Sequence, residues 1–97
     1  MNIAWRQQAA DDLADIFNYG IERNPPAALQ QYTAIRQKVE LLGDQPGLGR
    51  PGRVPYTREL IIPNTPYTVD RAQATVIILR VLHSARQWPT DLGQFTA

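Results

Sequence analysis

The residues of this chain best suited to chemistry are Arg58, Arg80, His83, Arg86 and Trp88, four of them within a single short stretch. His83 is the only histidine, and the only side chain here whose ordinary pKa lies near neutrality. It is therefore the candidate acid or base. Arg58, Arg80 and Arg86 can make planar, two-point contacts with carboxylate or phosphate, and Trp88 offers a large flat face. Together they could line a basic groove that binds an acidic protein surface or steadies a phosphodiester. Each also has a plainer reading. Arg58 could pair with Glu59 or Glu40, Arg86 could be solvated, His83 could bond one backbone group at a strand end, and Trp88 could pack the end of a sheet. No nucleophile–histidine–acid set, phosphate-cradling loop or carboxylate pair can be assembled from the sequence. Gly47-Leu48-Gly49 reads as turn chemistry, since no strand before it or helix after it is evident. With no cysteine and one histidine, the chain has no disulfide and no Cys- or His-rich metal site, and no cofactor is expected.

The elements that must position these residues follow from patterning. From Thr75 to Leu82 the chain is aliphatic or β-branched, interrupted by Arg80 alone, which predicts a strand in the middle of a sheet. Alternation places Ile77, Leu79 and Val81 on one face and Arg80 on the other, where its charge must either meet an acid or face a solvent-filled groove. Asn2 to Trp5 predicts a short first strand. Ala9, Leu13, Ile16, Phe17, Gly20 and Ile21 recur at helical spacing, predicting a helix over about Gln7 to Arg23, with Asp11, Asp12 and Asp15 on its solvated face. Asn24-Pro25-Pro26 stops that helix and caps the next. In the second helix Ala28, Tyr32, Ile35, Val39 and Leu42 form a regular apolar stripe, and Gly43 stands where a left-handed cap is expected. A Gly/Pro-rich loop over Asp44 to Gly52 leads to strands at Thr57 to Ile62 and Tyr67 to Arg71, with a turn over Pro63 to Pro66 between them. Tyr67 is expected to pack. The fold class is α+β: an N-terminal strand, a helical hairpin, then a three-stranded antiparallel meander, with the hairpin covering one sheet face and the other partly open.

Length and charge set the outer limits. Ninety-seven residues suit one domain spanning 1–97, with 90–97 read as a flexible tail. The first residues lack an apolar signal core and no run could cross a bilayer, so a cytoplasmic location is expected. Net charge is +1, with ten basic against nine acidic residues, which does not advertise nucleic-acid binding. Nine of the ten basic residues are arginine, favouring specific pairing over diffuse phosphate attraction.

Several motifs resemble the ParE/RelE-type toxins of bacterial type II toxin–antitoxin systems, from Ile3 to Pro89. They are Trp5 with Ala9, Asp12-Leu13 and Ile16; Pro26-Ala27-Ala28; Pro46, Gly49-Arg50 and Gly52; Thr57-Arg58-Glu59-Leu60; Pro66-Tyr67; and Ile78-Leu79-Arg80-Val81-Leu82-His83-x-x-Arg86-x-Trp88-Pro89. The resemblance implies the same fold, a role in plasmid or chromosome stabilisation, and a co-encoded antitoxin, a small DNA-binding protein whose amphipathic C-terminal segment wraps the toxin. It also divides by target. ParE-like members inhibit DNA gyrase, whereas RelE-like members cut mRNA on the ribosome with basic residues on the sheet. Where the latter carry cationic or acid/base groups, this chain has Thr68 in the middle strand of the meander and Ser84 after His83. The resemblance therefore leans to the ParE-like branch, with Arg58, Arg80, Arg86 and Trp88 as target-binding residues. The alternative is a ribosome-dependent mRNA endoribonuclease with His83 as acid/base and Arg58 and Arg86 on the phosphate.

Overall fold

A computed structural model describes residues 1–61 and 64–82 of the chain. Its elements are β1 (Asn2–Trp5), α1 (Gln7–Ile21), α2 (Pro25–Asp44), β2 (Arg50–Pro51), β3 (Arg58–Leu60), β4 (Thr65–Asp70) and β5 (Thr75–Ile78). They build a five-stranded sheet in the order β1-β5-β4-β3-β2, in which β1 runs parallel to β5 and every other pair is antiparallel. The α+β class, the hairpin and the meander are as the sequence predicts. β2 is an addition, formed where the Gly/Pro-rich segment was expected to be loop throughout.

The hairpin forms where the punctuation lies. The Asn24 side chain accepts the Ala27 N–H at 3.2 Å, with prolines in the first turn of α2 where no N–H is needed. Gly20 lets the helices close, because a Cβ there would stand 3.0 Å from that of Ala28. The stripe of α2 is buried at Ala28, Ile35, Val39 and Leu42, with Tyr32 at its margin edge-on to Phe17. Ile35, Val39 and Leu42 join Ala9 and Leu13 of α1 and Leu60, Tyr67, Val76, Ile78 and Val81 from the sheet side in one core, with Tyr32 packed against it. At roughly 1.5–3 kcal/mol per large apolar side chain, that burial is what holds the hairpin to the sheet.

Gly43 corrects the capping expectation. It lies inside α2 and no glycine among the described residues has positive φ. The amino group of Met1 donates to the Gly43 carbonyl, and a Cβ at Gly43 would meet the Met1 carbonyl oxygen at 3.0 Å. Close approach of the first strand, not helix termination, calls for a glycine there.

β5 departs from the predicted unbroken strand. Tyr67 faces Ile78 across the ladder, but Asn64, three residues before Tyr67, bridges Leu82, four residues after Ile78, so the segment leaving β5 carries one residue more than the segment leading into Tyr67 over this interval. The bulge has two causes. Leu79 donates to the Pro66 carbonyl at 2.9 Å, but Pro66, drawn into β4 instead of the expected turn, has no N–H to return the bond. Beyond it, the Val81 N–H leaves the ladder for the Asp12 carboxylate at 3.0 Å. The extra residue reverses the alternation. Val76, Ile78 and Val81 share the core, so the predicted grouping of Ile77, Leu79 and Val81 does not hold.

Candidate functional site

The bulge delivers Arg80 to Asp12. Arg80 donates from Nε to Asp12 Oδ2 at 2.6 Å and from Nη2 to Oδ1 at 2.9 Å, and Oδ2 also takes the Val81 N–H. The two side chains are 16% and 8% exposed, so the pair works in a low-dielectric setting where a two-point geometry counts. Of the two fates open to Arg80, the acid is the one realised. Asp12 is thereby corrected from the solvated helix face. It lies three residues after Ala9 and four before Ile16, on the edge of the buried stripe, and that spacing was the available signal.

Arg58 follows a different course. It stands opposite Tyr67 in the β3–β4 ladder, and its Nη1 donates to the Gly49 carbonyl at 2.8 Å. Neither expected acid holds it: Glu59 is buried and accepts from Arg50 Nε at 2.7 Å. The Arg58 side chain remains exposed with no ion pair among the described residues. Tyr67, expected as a packing residue, packs and also bonds. Its hydroxyl accepts the Gly49 N–H at 2.8 Å and donates to the Pro46 carbonyl at 2.9 Å. Burial pushes the Tyr67 pKa above the ordinary 10.0, against smaller opposing effects from the Gly49 bond and the Arg58 charge. A Cβ on Gly49 would lie 2.7 Å from both the Tyr67 hydroxyl and the Glu59 carbonyl oxygen, so the Pro46 to Gly49 turn can close on Tyr67 only with glycine there.

Beside Arg58 lies an open groove of about 360 Å³, walled by Tyr56, Arg58, Thr68, Val69 and Arg71 among others. Thr68 donates its hydroxyl to the Tyr56 carbonyl at 2.9 Å, so it serves the loop above it. His83, Arg86 and Trp88 lie outside the described residues, as does Ser84. Of the five candidates the described structure thus places two, Arg58 exposed at the groove and Arg80 engaged with Asp12. Tyr56 and Arg71 are the positions that sequence reasoning did not single out, and Asp12 is the one it placed on the wrong face. Among the described residues no three His, Asp or Glu side chains gather where a metal could be held, and no helix is long and apolar enough to cross a membrane.

Comparison with known proteins agrees with this architecture. Residues 3–88 match the family model described as the ParE toxin of the type II toxin–antitoxin system parDE. A curated protein of Sinorhizobium fredii, "Putative toxin Y4kP", is 38% identical over 91 residues, covering 93% of this chain and 95% of its own. A solved structure titled "Chromosomal ParDE TA system from P. aeruginosa" superposes with a TM-score of 0.74 at 30% identity, covering 86% of this chain and 95% of that one. With a family model spanning nearly the whole chain and a relative of this identity and coverage, the chain belongs to the ParE toxin family of type II toxin–antitoxin systems.

Proposed function

We propose that this protein arrests growth by binding and poisoning DNA gyrase, and that a co-encoded antitoxin with an amphipathic segment neutralises it. The observation that carries the choice of a protein target is the fate of the sheet's polar groups. Among the described residues Arg80 is spent on Asp12 and the Thr68 hydroxyl on Tyr56, and β4 and β5 themselves carry no Arg or Lys, so the β4–β5 ladder offers no cation of its own to a phosphodiester transition state. A net charge of +1 likewise offers little affinity for an RNA-rich surface. An exposed arginine beside an aromatic ring is, by contrast, the usual anchor of a protein interface. In this reading Arg58 touches the target, Arg86 and Trp88 extend the contact, and Arg80 acts through Asp12 by holding the bulge. Residues 1–97 act as one domain, in the cytoplasm.

Induction without antitoxin is expected to cause filamentation and DNA-damage signalling while mRNA on ribosomes stays uncut, and His83→Gln is expected to leave the arrest intact. Codon-positioned mRNA cuts that vanish in His83→Gln would transfer the assignment to the RelE-like endoribonuclease, with His83 as acid/base and Arg58 and Arg86 on the phosphate.

A further inference from the structure

Tyr56 breaks a local rule. Its φ is +64°, in the left-handed region that bulky side chains avoid, and its residue is 82% exposed, so burial does not offset the strain. The loop around it is nonetheless tightly tied. Thr57 donates its hydroxyl and its N–H to the Val54 carbonyl, Gly52 N–H reaches the Thr57 carbonyl at 2.9 Å, and Thr68 holds the Tyr56 carbonyl. Backbone strain that the surroundings over-determine, at a side chain presented to solvent, is the pattern of a recognition residue.

What Tyr56 overlooks is the groove it shares with Arg58, Thr68, Val69 and Arg71. No acid lines it, and neither guanidinium is ion-paired among the described residues. At about 360 Å³ it is at the small end for a ligand site and suits a few side chains of a larger partner. Two arginines flanking Val69 and a tyrosine ring are complementary to carboxylates set beside an apolar residue. We infer that this groove receives an acidic segment of the toxin's protein target, with Arg58 and Arg71 taking Asp or Glu carboxylates and Tyr56 packing on the neighbouring apolar side chain. This rests on the protein-target reading above and adds Tyr56 and Arg71 to it. A nucleic-acid backbone would want a longer row of cations, and Arg50 is already committed to Glu59. The groove on the outside of α2, walled by Leu29, Thr33 and Ala34 among others, has no charged side chain in its wall and lacks this complementarity to carboxylates.

The test uses the full chain carrying Tyr56→Gly or Arg71→Glu, with Arg53→Glu, in the same loop but off the groove wall, as control. Glycine relieves the φ strain, so Tyr56→Gly is expected to melt no lower than wild type. Both groove variants are expected to bind antitoxin as wild type does, yet to need about tenfold more protein for half-inhibition of supercoiling and to lose growth arrest, while the control stays unchanged. Full inhibition by both variants, a lowered melting temperature for Tyr56→Gly, or weakened antitoxin binding would each overturn the groove assignment and leave the gyrase reading untouched. If wild type does not inhibit gyrase but both variants lose growth arrest, the gyrase reading falls and the groove stands for another protein target. If wild type does not inhibit gyrase and both variants still arrest growth, both fall. Loss of ribosome-dependent mRNA cleavage in Arg71→Glu would assign the groove to RNA instead.

Discussion

The Asp12 carboxylate in α1 and the Arg80 guanidinium, 68 positions later, meet in a two-point fork of 2.6 and 2.9 Å, and the same carboxylate holds the Val81 N–H at 3.0 Å. One side chain thus joins the helical hairpin to the sheet and fixes the bulge at which β5 leaves its ladder. Arg80 has its charge satisfied by the fold, and whatever it contributes to toxicity passes through geometry.

Asp12→Ala should therefore leave a mostly buried cation and a backbone N–H without their partner. The expected cost is about 3 kcal/mol, the low end for a broken buried pair because Arg80 keeps 16% of its side chain in solvent. Asp12→Asn keeps an acceptor for Val81 and should cost about 1–2 kcal/mol. Urea denaturation reads both, and wild-type stability in Asp12→Ala would show the fork to be ornamental.

Tyr67 makes stability depend on alkaline pH. Its folded pKa lies above the unfolded value of 10.0, so the folded state keeps the proton longer. That contribution is fully present below about pH 10 and is lost as pH rises from there through the folded value. Tyr67→Phe should cost about 1–2 kcal/mol at neutral pH through the lost bonds to Gly49 and Pro46, and should flatten the decline above pH 10. Parallel stability curves for the two proteins across pH 9 to 11 would refute it.

The glycines of the turn before β2 should separate cleanly. Gly49→Ala forces a Cβ to 2.7 Å from a backbone oxygen and from the Tyr67 hydroxyl, an overpacking of about 1–3 kcal/mol. Gly47→Ala meets nothing within 4 Å at a backbone that does not need positive φ, and should be neutral or slightly stabilising. Equal melting temperatures for the two variants would contradict the close approach.

Much of this was legible in the sequence, because the signals were local. The apolar stripe from Ala28 to Leu42, the Asn24-Pro25-Pro26 stop and start, and the β-branched run after Thr75 each depend on neighbours a few residues away. The bulge was not legible. It requires Pro66 to lie opposite Leu79 and Asp12 to reach Val81, and both are pairings across strands or layers that no periodicity encodes. Arg58 misled for the same reason, since its partner is a backbone carbonyl, Gly49, which carries no side-chain signature. Gly43 looked like a helix stop because glycine's conformational freedom and its small size leave the same mark in sequence.

The central claim proposed above is that the toxin poisons DNA gyrase, and inhibition of supercoiling by purified gyrase tests it most directly. Wild-type toxin is expected to inhibit in a dose-dependent way and to be relieved by its antitoxin. Arg58→Ala, which removes an exposed interfacial arginine at the groove, is expected to need about tenfold more protein for the same effect, the 1–2 kcal/mol common for such truncations. Undiminished supercoiling at saturating wild-type toxin would contradict the account.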